Sequence, residues 1–214
     1  MLSMEHIRNT IKTCMEGFRA MPQITSGNFT FTTTTLDGVI VIDVRSFDDE
    51  RGSFFEVYKK EDFYKGGITA DFVQDNQSSS VQGVLRGLHF QKEYPQSKLV
   101  RVVSGEVFDV AVDIRKESPT YGRWEGVILS SENKRQFFIP KGFAHGYLVL
   151  SDTAVFSYKC DEIYHPHDEG GVVWNDPVID IQWPDIKREL IISKKDQNYP
   201  TLDGNVSYKK FLTL

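Results

Sequence analysis

The sequence predicts an all-β chain, an antiparallel sandwich or barrel for which a jelly-roll is the natural candidate. Three observations carry that reading. Short runs rich in β-branched and aromatic residues recur along the chain, Gly, Pro, Asn, Asp and Ser punctuate them, and no long helical pattern separates one run from the next. The runs fall at 39–42, 54–58, 99–103, 107–112, 137–139 and 154–158. With 214 residues and 24.5 kDa the chain suits one domain whose core is large enough to stand without metal or disulfide staples. There is no internal repeat, and the only low-complexity stretch is the four threonines Thr32 to Thr35.

Ahead of the first run, Met4, Ile7, Ile11, Met15 and Phe18 recur at three- and four-residue steps with charges between them, the period of an amphipathic helix of about four turns. Met21-Pro22 ends it, and the polar, threonine-rich stretch 23–35 reads as an extended connection. The expected organisation is therefore a short helical extension over 1–26 and a single jelly-roll domain over 27–214, with few peripheral helices. After Trp183-Pro184 the alternation of polar and apolar residues is weak and predicts no definite element.

Composition narrows the function. Twenty-five basic residues against 30 acidic ones leave a formal charge of −5, so no global positive field draws the chain to nucleic acid or an anionic membrane. An anionic ligand must be met by a local cluster. Cys14 and Cys160 lie far apart with no CxxC spacing, which signals neither a disulfide framework nor a zinc site and suits free thiols in a reducing compartment. No apolar run approaches the roughly 20 residues that span a bilayer, and the charged N-terminal stretch is unlike a signal peptide; a cytoplasmic location is expected.

Two stretches place ionisable residues inside strand-like sequence: Gly83-Val84-Leu85-Arg86-Gly87-Leu88-His89-Phe90-Gln91, followed by Lys98, and Pro140-Lys141-Gly142-Phe143-Ala144-His145-Gly146. Each resembles one of the two motifs of the cupin superfamily, a jelly-roll barrel with its active site in the open mouth. Typical cupins bind a metal through a second histidine two positions after the first and a glutamate beyond it. Here Gln91 takes that place and Glu93 comes too early, so the usual metal site lacks two ligands, and no metal is expected.

Six motifs in one order are more specific. Asp49-Glu50-Arg51-Gly52, Phe72-Val73-Gln74-Asp75-Asn76, Leu85-Arg86-Gly87-Leu88-His89-Phe90, the strand from Gly105 through Asp113, Glu132-Asn133-Lys134-Arg135-Gln136 and Gly142-Phe143-Ala144-His145-Gly146 together resemble the dTDP-4-dehydrorhamnose 3,5-epimerase family over residues 36–196. The resemblance implies a cupin-type jelly-roll, a dTDP-linked 4-keto-6-deoxyhexose as substrate, no cofactor, a homodimer, and a step in dTDP-L-rhamnose supply. The C3 and C5 hydrogens of such a sugar flank a ketone, so either centre inverts through an enolate. That chemistry needs a base near neutral pKa, a group to orient it, a cation or donor at the developing oxyanion, and an acid on the opposite face.

By the same resemblance His89 is the base, Asp196 in Ser193-Lys194-Lys195-Asp196 orients it, Lys98 faces the ketone oxygen and Tyr158 is the acid. Ser97 precedes Lys98 where the family usually has glycine. By the resemblance His145 is expected to line the same mouth and to hydrogen-bond the sugar or the enolate oxygen. Arg51, Arg86 and Lys195 match positions that contact the diphosphate; Glu56, Gln74, Asp75, Asn76 and Glu169 match positions at or beside the nucleoside; Tyr164 matches the aromatic that stacks on thymine. Other readings stay open: an epimerase acting at C3 or C5 alone, a metal-dependent cupin, and a jelly-roll that binds sugar nucleotides without catalysis.

Overall fold

The computed structural model describes residues 21–203. The N-terminal helix expected over 4–18, Cys14, and the C-terminal end from 204 lie outside the described residues. Two antiparallel sheets face one another. The first runs β1 (Gln23–Ser26), β2 (Phe29–Thr33), β3 (Ile40–Val44), β11 (Gln136–Ile139), β8 (Lys98–Ser104), β13 (Thr153–Cys160) and β6 (Gln74–Val81). The second runs β10 (Trp124–Ser130), β9 (Glu106–Asp113), β12 (Phe143–Val149), β7 (Val84–Gln91) and β14 (Glu169–Gly171), with β15 (Ile191–Ile192) beside β7 in parallel. A separate hairpin joins β4 (Ser46–Asp49) to β5 (Gly52–Phe55). The helices among the described residues are short, α1 (Lys60–Lys65) and α2 (Lys194–Gln197). This is an antiparallel jelly-roll.

Three apolar layers hold it. Between the sheets, Val41, Val100, Phe137 and Phe156 of the first pack against Val107, Ala111, Tyr147 and Val149 of the second. Outside the second sheet, Phe108, Val110, Val112 and Leu148 are covered by Ile179, Ile181, Trp183 and Leu202 of the C-terminal segment. Outside the first, Phe29, Phe31, Ile40 and Ile42 are covered by Phe63 of α1 and Ile68. β9 is thus buried on both faces, which is why its sequence is a nearly continuous apolar run rather than an alternation. Truncating a core ring such as Phe156, 1% exposed, costs about 3–5 kcal/mol.

Most of the expected runs are strands, with two differences. β1 pairs with β2 residue for residue, so the sheet starts at Gln23, four residues ahead of the expected boundary. The reason is that β2 alternates inward Phe29 and Phe31 with threonine, a β-former whose polarity hid the strand. In the run 54–58, only Phe54 and Phe55 are strand; 56–58 leave the hairpin for α1.

Candidate active site

Where the sheets part, a cavity of about 330 Å³ opens. Strand β7 supplies its central residue, His89, and the neighbours of β7 furnish the surroundings. In register with His89 are His145 on β12 and Gly171 on β14. The close approach of β12 depends on glycine: Gly87 has φ 128°, and a Cβ there would stand 2.5 Å from Gly146 Cα. Opposite, β6 turns polar side chains inward and β13 contributes Phe156 and Tyr158.

His89 Nε2 lies 2.8 Å from Asp196 Oδ1. Asp196 arrives there on the single turn of α2, whose N-cap Ser193 accepts the Asp196 backbone N–H at 3.0 Å. Burial works to raise the Asp196 carboxyl, but the hydrogen bond and charge of His89, the Gly87 N–H and Ser193 hold it below its ordinary value. An ionised carboxylate only accepts, so Nε2 is the nitrogen that donates to it, and in the neutral imidazole the lone pair is on Nδ1.

Lys98, on β8, lines the cavity, and its Nζ forms no ion pair among the described residues; desolvation pulls its ammonium down, against the charges of Cys160, Asp109 and Glu169. Tyr158 is the reverse case. Burial, with Cys160 and Tyr147 beside it, pushes its phenol up to about 12, so it holds its proton at neutral pH. His145 donates Nε2–H to both oxygens of Asp109 at 3.0 Å. Burial pulls this histidine down despite the opposing charge of Asp109, with Lys98 and His89 adding to the fall, so it stands neutral.

At the rim, Glu169 gathers three donors: Lys195 Nζ at 2.5 Å, Tyr164 Oη at 2.7 Å and Tyr199 Oη at 2.7 Å. Burial alone would raise its carboxyl; the three hydrogen bonds outweigh that and hold it at about 2. Gln74 bonds Asn76 through its amide and receives the Tyr164 backbone N–H at 2.8 Å, fixing the aromatic at the edge. Arg86 reaches in with its guanidinium on Ser80 Oγ.

The structure therefore brings together His89, Asp196, Lys98, Tyr158, His145, Gln74, Asn76, Arg86, Tyr164, Glu169 and Lys195. It does not bring Arg51, Glu56 or Asp75 to the same mouth. Arg51 sits on the β4–β5 turn with its side chain 85% exposed and bound to Asp49. Glu56 accepts from Asn28, and Asp75 points to the other face of the sheet, paired with Lys159 at 2.6 Å. Gln91, at the position of a cupin metal ligand, spends its amide on the Tyr94 and Ile163 carbonyls and the His165 N–H. Among the described residues no group of three His, Cys, Asp or Glu is placed to hold a metal ion. Cys160 is a buried free thiol.

Sequence reasoning did not single out Tyr147, whose ring stacks on Phe156 at 4.1 Å and whose hydroxyl meets Ser78, nor Tyr199, nor the role of Asp109. Asp109 alone left a signal, an acid isolated inside the apolar run Val107-Phe108-Asp109-Val110.

A cupin-type jelly-roll whose mouth holds a histidine bonded to a carboxylate, a lysine with no ion pair among the described residues and a protonated tyrosine has the groups for moving protons at a carbon acid; the class is that of the carbohydrate isomerases. The family model described as dTDP-4-dehydrorhamnose 3,5-epimerase matches residues 33–204. A dTDP-4-dehydrorhamnose 3,5-epimerase of Methanothermobacter thermautotrophicus is 56% identical over 181 residues, 84% of this chain and 98% of that protein. A crystal structure of the dTDP-6-deoxy-D-glucose-3,5-epimerase of Legionella pneumophila in complex with dTDP-4-keto-L-rhamnose superposes with a TM-score of 0.79 at 50% identity, covering 82% of this chain and 93% of that one. A 3′-monoepimerase from Streptomyces bikiniensis in complex with dTDP-quinovose has a TM-score of 0.74 at 34% identity, covering 79% and 86%. The chain belongs to the dTDP-4-dehydrorhamnose 3,5-epimerase family.

Proposed function

We propose that the chain converts dTDP-4-dehydro-6-deoxy-D-glucose to dTDP-4-dehydro-L-rhamnose by exchanging protons at C3 and C5, with His89 as base, Asp196 orienting it, Lys98 at the oxyanion and Tyr158 as acid. The observation that carries this reading is the 2.8 Å His89–Asp196 bond inside a mouth shared with Lys98 and Tyr158. Nδ1 of His89 takes a proton from the carbon beside the ketone. The electron pair moves onto the C4 oxygen, where the Lys98 ammonium favours the enolate over the ketone. The Tyr158 phenol returns a proton to the opposite face, and both groups then re-equilibrate with water. The product has the oxidation state of the substrate, so proton transfers balance the reaction and it calls for no redox cofactor. His145, neutral and held by Asp109, offers the sugar a hydrogen bond.

For the diphosphate, Arg86 and Lys195 are on hand. The third expected contact, Arg51, rides a hairpin outside both main sheets that also exposes Phe54 (73%) and Phe47 (44%). That combination supports a homodimer in which the hairpin meets a second copy. Light scattering is expected to give twice the chain mass at micromolar concentration, and a monomer would remove this part of the reading. A sugar-nucleotide substrate, the free Cys160 thiol and the absence, among the described residues, of any helix long and apolar enough to cross a membrane support work in the cytoplasm.

The test is proton NMR with dTDP-4-dehydro-6-deoxy-D-glucose in heavy water. Loss of both the C3 and the C5 signals is expected. Loss at C3 alone would assign a monoepimerase, like the Streptomyces bikiniensis relative by its description. No exchange would leave a sugar-nucleotide binder.

A further inference from the structure

Tyr199 lies two residues beyond α2 and outside the cavity lining, yet it touches two of the groups that matter there. Its ring meets that of His89 edge-on, with centroids 5.8 Å apart and planes at 70°. Its hydroxyl donates to Glu169 Oε1 at 2.7 Å. Burial and the charge of Glu169 push the phenol far up, so it remains a donor. The slot it fills is kept open by Gly171, the strand partner of His89: a Cβ there would stand 2.5 Å from the Tyr199 ring. Glu169, two residues earlier on the same strand, also holds Tyr164 and Lys195.

We propose that Tyr199 is a positioning residue that couples the nucleotide rim to the base, its ring fixing the plane of the His89 imidazole while its hydroxyl orients Glu169. The proposal rests on the reading of His89 as base and of Glu169, Tyr164 and Lys195 as the nucleotide rim. One hydrogen bond to Asp196 leaves an imidazole free to swing, because the ring torsion of histidine is broad and roughly two-fold. An edge-to-face aromatic neighbour removes that freedom. A nucleotide that draws on Glu169 is then felt at His89 through one rigid ring.

The experiment compares Tyr199→Phe, Tyr199→Leu, Gly171→Ala, the double variant Gly171→Ala/Tyr199→Leu, and His89→Ala. Each is read for dTDP affinity by calorimetry and for turnover of the keto-sugar at saturation. Tyr199→Phe keeps the ring and loses the hydroxyl; it is expected to weaken dTDP binding by about 3–10-fold, less than the full worth of a hydrogen bond to a charged group because this one orients Glu169 and does not itself touch the nucleotide, with kcat within about threefold of wild type. Tyr199→Leu should show the same loss of affinity and in addition a kcat lower by about 10–100-fold, the scale of a misplaced base. Gly171→Ala should lower kcat by pressing on the ring, and in the double variant it should add nothing to Tyr199→Leu.

A kcat of Tyr199→Leu within threefold of wild type, or effects of Gly171→Ala that persist undiminished without the ring, would overturn the proposal. Should Tyr199→Leu fail to fold, Gly171→Ala with an unaltered kcat would overturn it in its place. His89→Ala separates the two readings. If it retains a tenth of wild-type turnover, the base assignment fails; if it is inactive while Tyr199→Leu is fully active, the coupling alone fails.

Discussion

The mouth contains two histidine–aspartate pairs built in opposite ways. His145 and Asp109 stand on neighbouring strands β12 and β9, their side chains 8% and 0% exposed, with one ring N–H shared by both carboxylate oxygens. His89 and Asp196 are 107 residues apart in sequence, joined only because a single capped turn lies against β7, and the His89 side chain is 29% exposed. The first pair is locked into the sheet and desolvated to neutrality. The second has its carboxylate buried and its imidazole open to the cavity, so one nitrogen is pinned and the other is free to act. The same two residue types thus give a fixed polar post in one place and, in the other, an imidazole exposed to the cavity as the proposed base must be; burial of the imidazole makes the difference.

The comparison is sharpest at the carboxylates. Asp196→Asn should lower kcat by about 10³–10⁴-fold, because an amide can donate to Nε2 and favours the wrong tautomer; steady-state turnover measures it, and a variant keeping a tenth of the rate would make the pair structural. Tyr158→Phe should reduce net epimerisation by about 10²-fold while solvent exchange at the substrate carbons persists, since the acid acts after abstraction. If both vanish together, Tyr158 acts earlier than proposed. Asp109→Asn, at the locked pair, should instead show mainly in stability, about 1–3 kcal/mol by urea denaturation, with turnover changed less than at Asp196.

The smallest effect on turnover is expected at the rim, where the change shows in stability instead. Glu169 is held at about 2 in the folded chain against an ordinary 4.5, so its contribution to stability is fully present above 4.5 and is lost as pH falls through 2. Thermal melts of Glu169→Gln should therefore run below wild type at neutral pH, and the gap should close between pH 4.5 and 2. A gap independent of pH would mean that packing, not charge, sets the role of Glu169.

Legibility followed burial. β9 was plain because both of its faces are covered and nearly every residue is apolar. β6 was not: Gln74 through Val81 form a polar strand at the sheet edge, and several of its side chains face a cavity instead of a core. β7 and β12 were strand-like in sequence although glycines at their contact interrupt the β pattern, and it was their ionisable motif residues that made them stand out. That His89, Lys98, Tyr158 and Asp196 meet in one mouth was legible only through family resemblance, because no local pattern links α2 to β7 across so much chain. Arg51 and Glu56 matched family positions, yet their segment folds away from this mouth, a matter of tertiary placement that residue type does not encode. Tyr199 left no trace, as its place depends on the space above Gly171.

The central claim is that the open pair supplies the base. The direct measurement is deuterium exchange at C3 and C5 of the keto-sugar by His89→Ala beside wild type, with dTDP affinity determined for both. The account predicts exchange lost by about 10³-fold or more and dTDP binding nearly unchanged. Exchange at a tenth of the wild-type rate or above would contradict it and move the base elsewhere in the mouth.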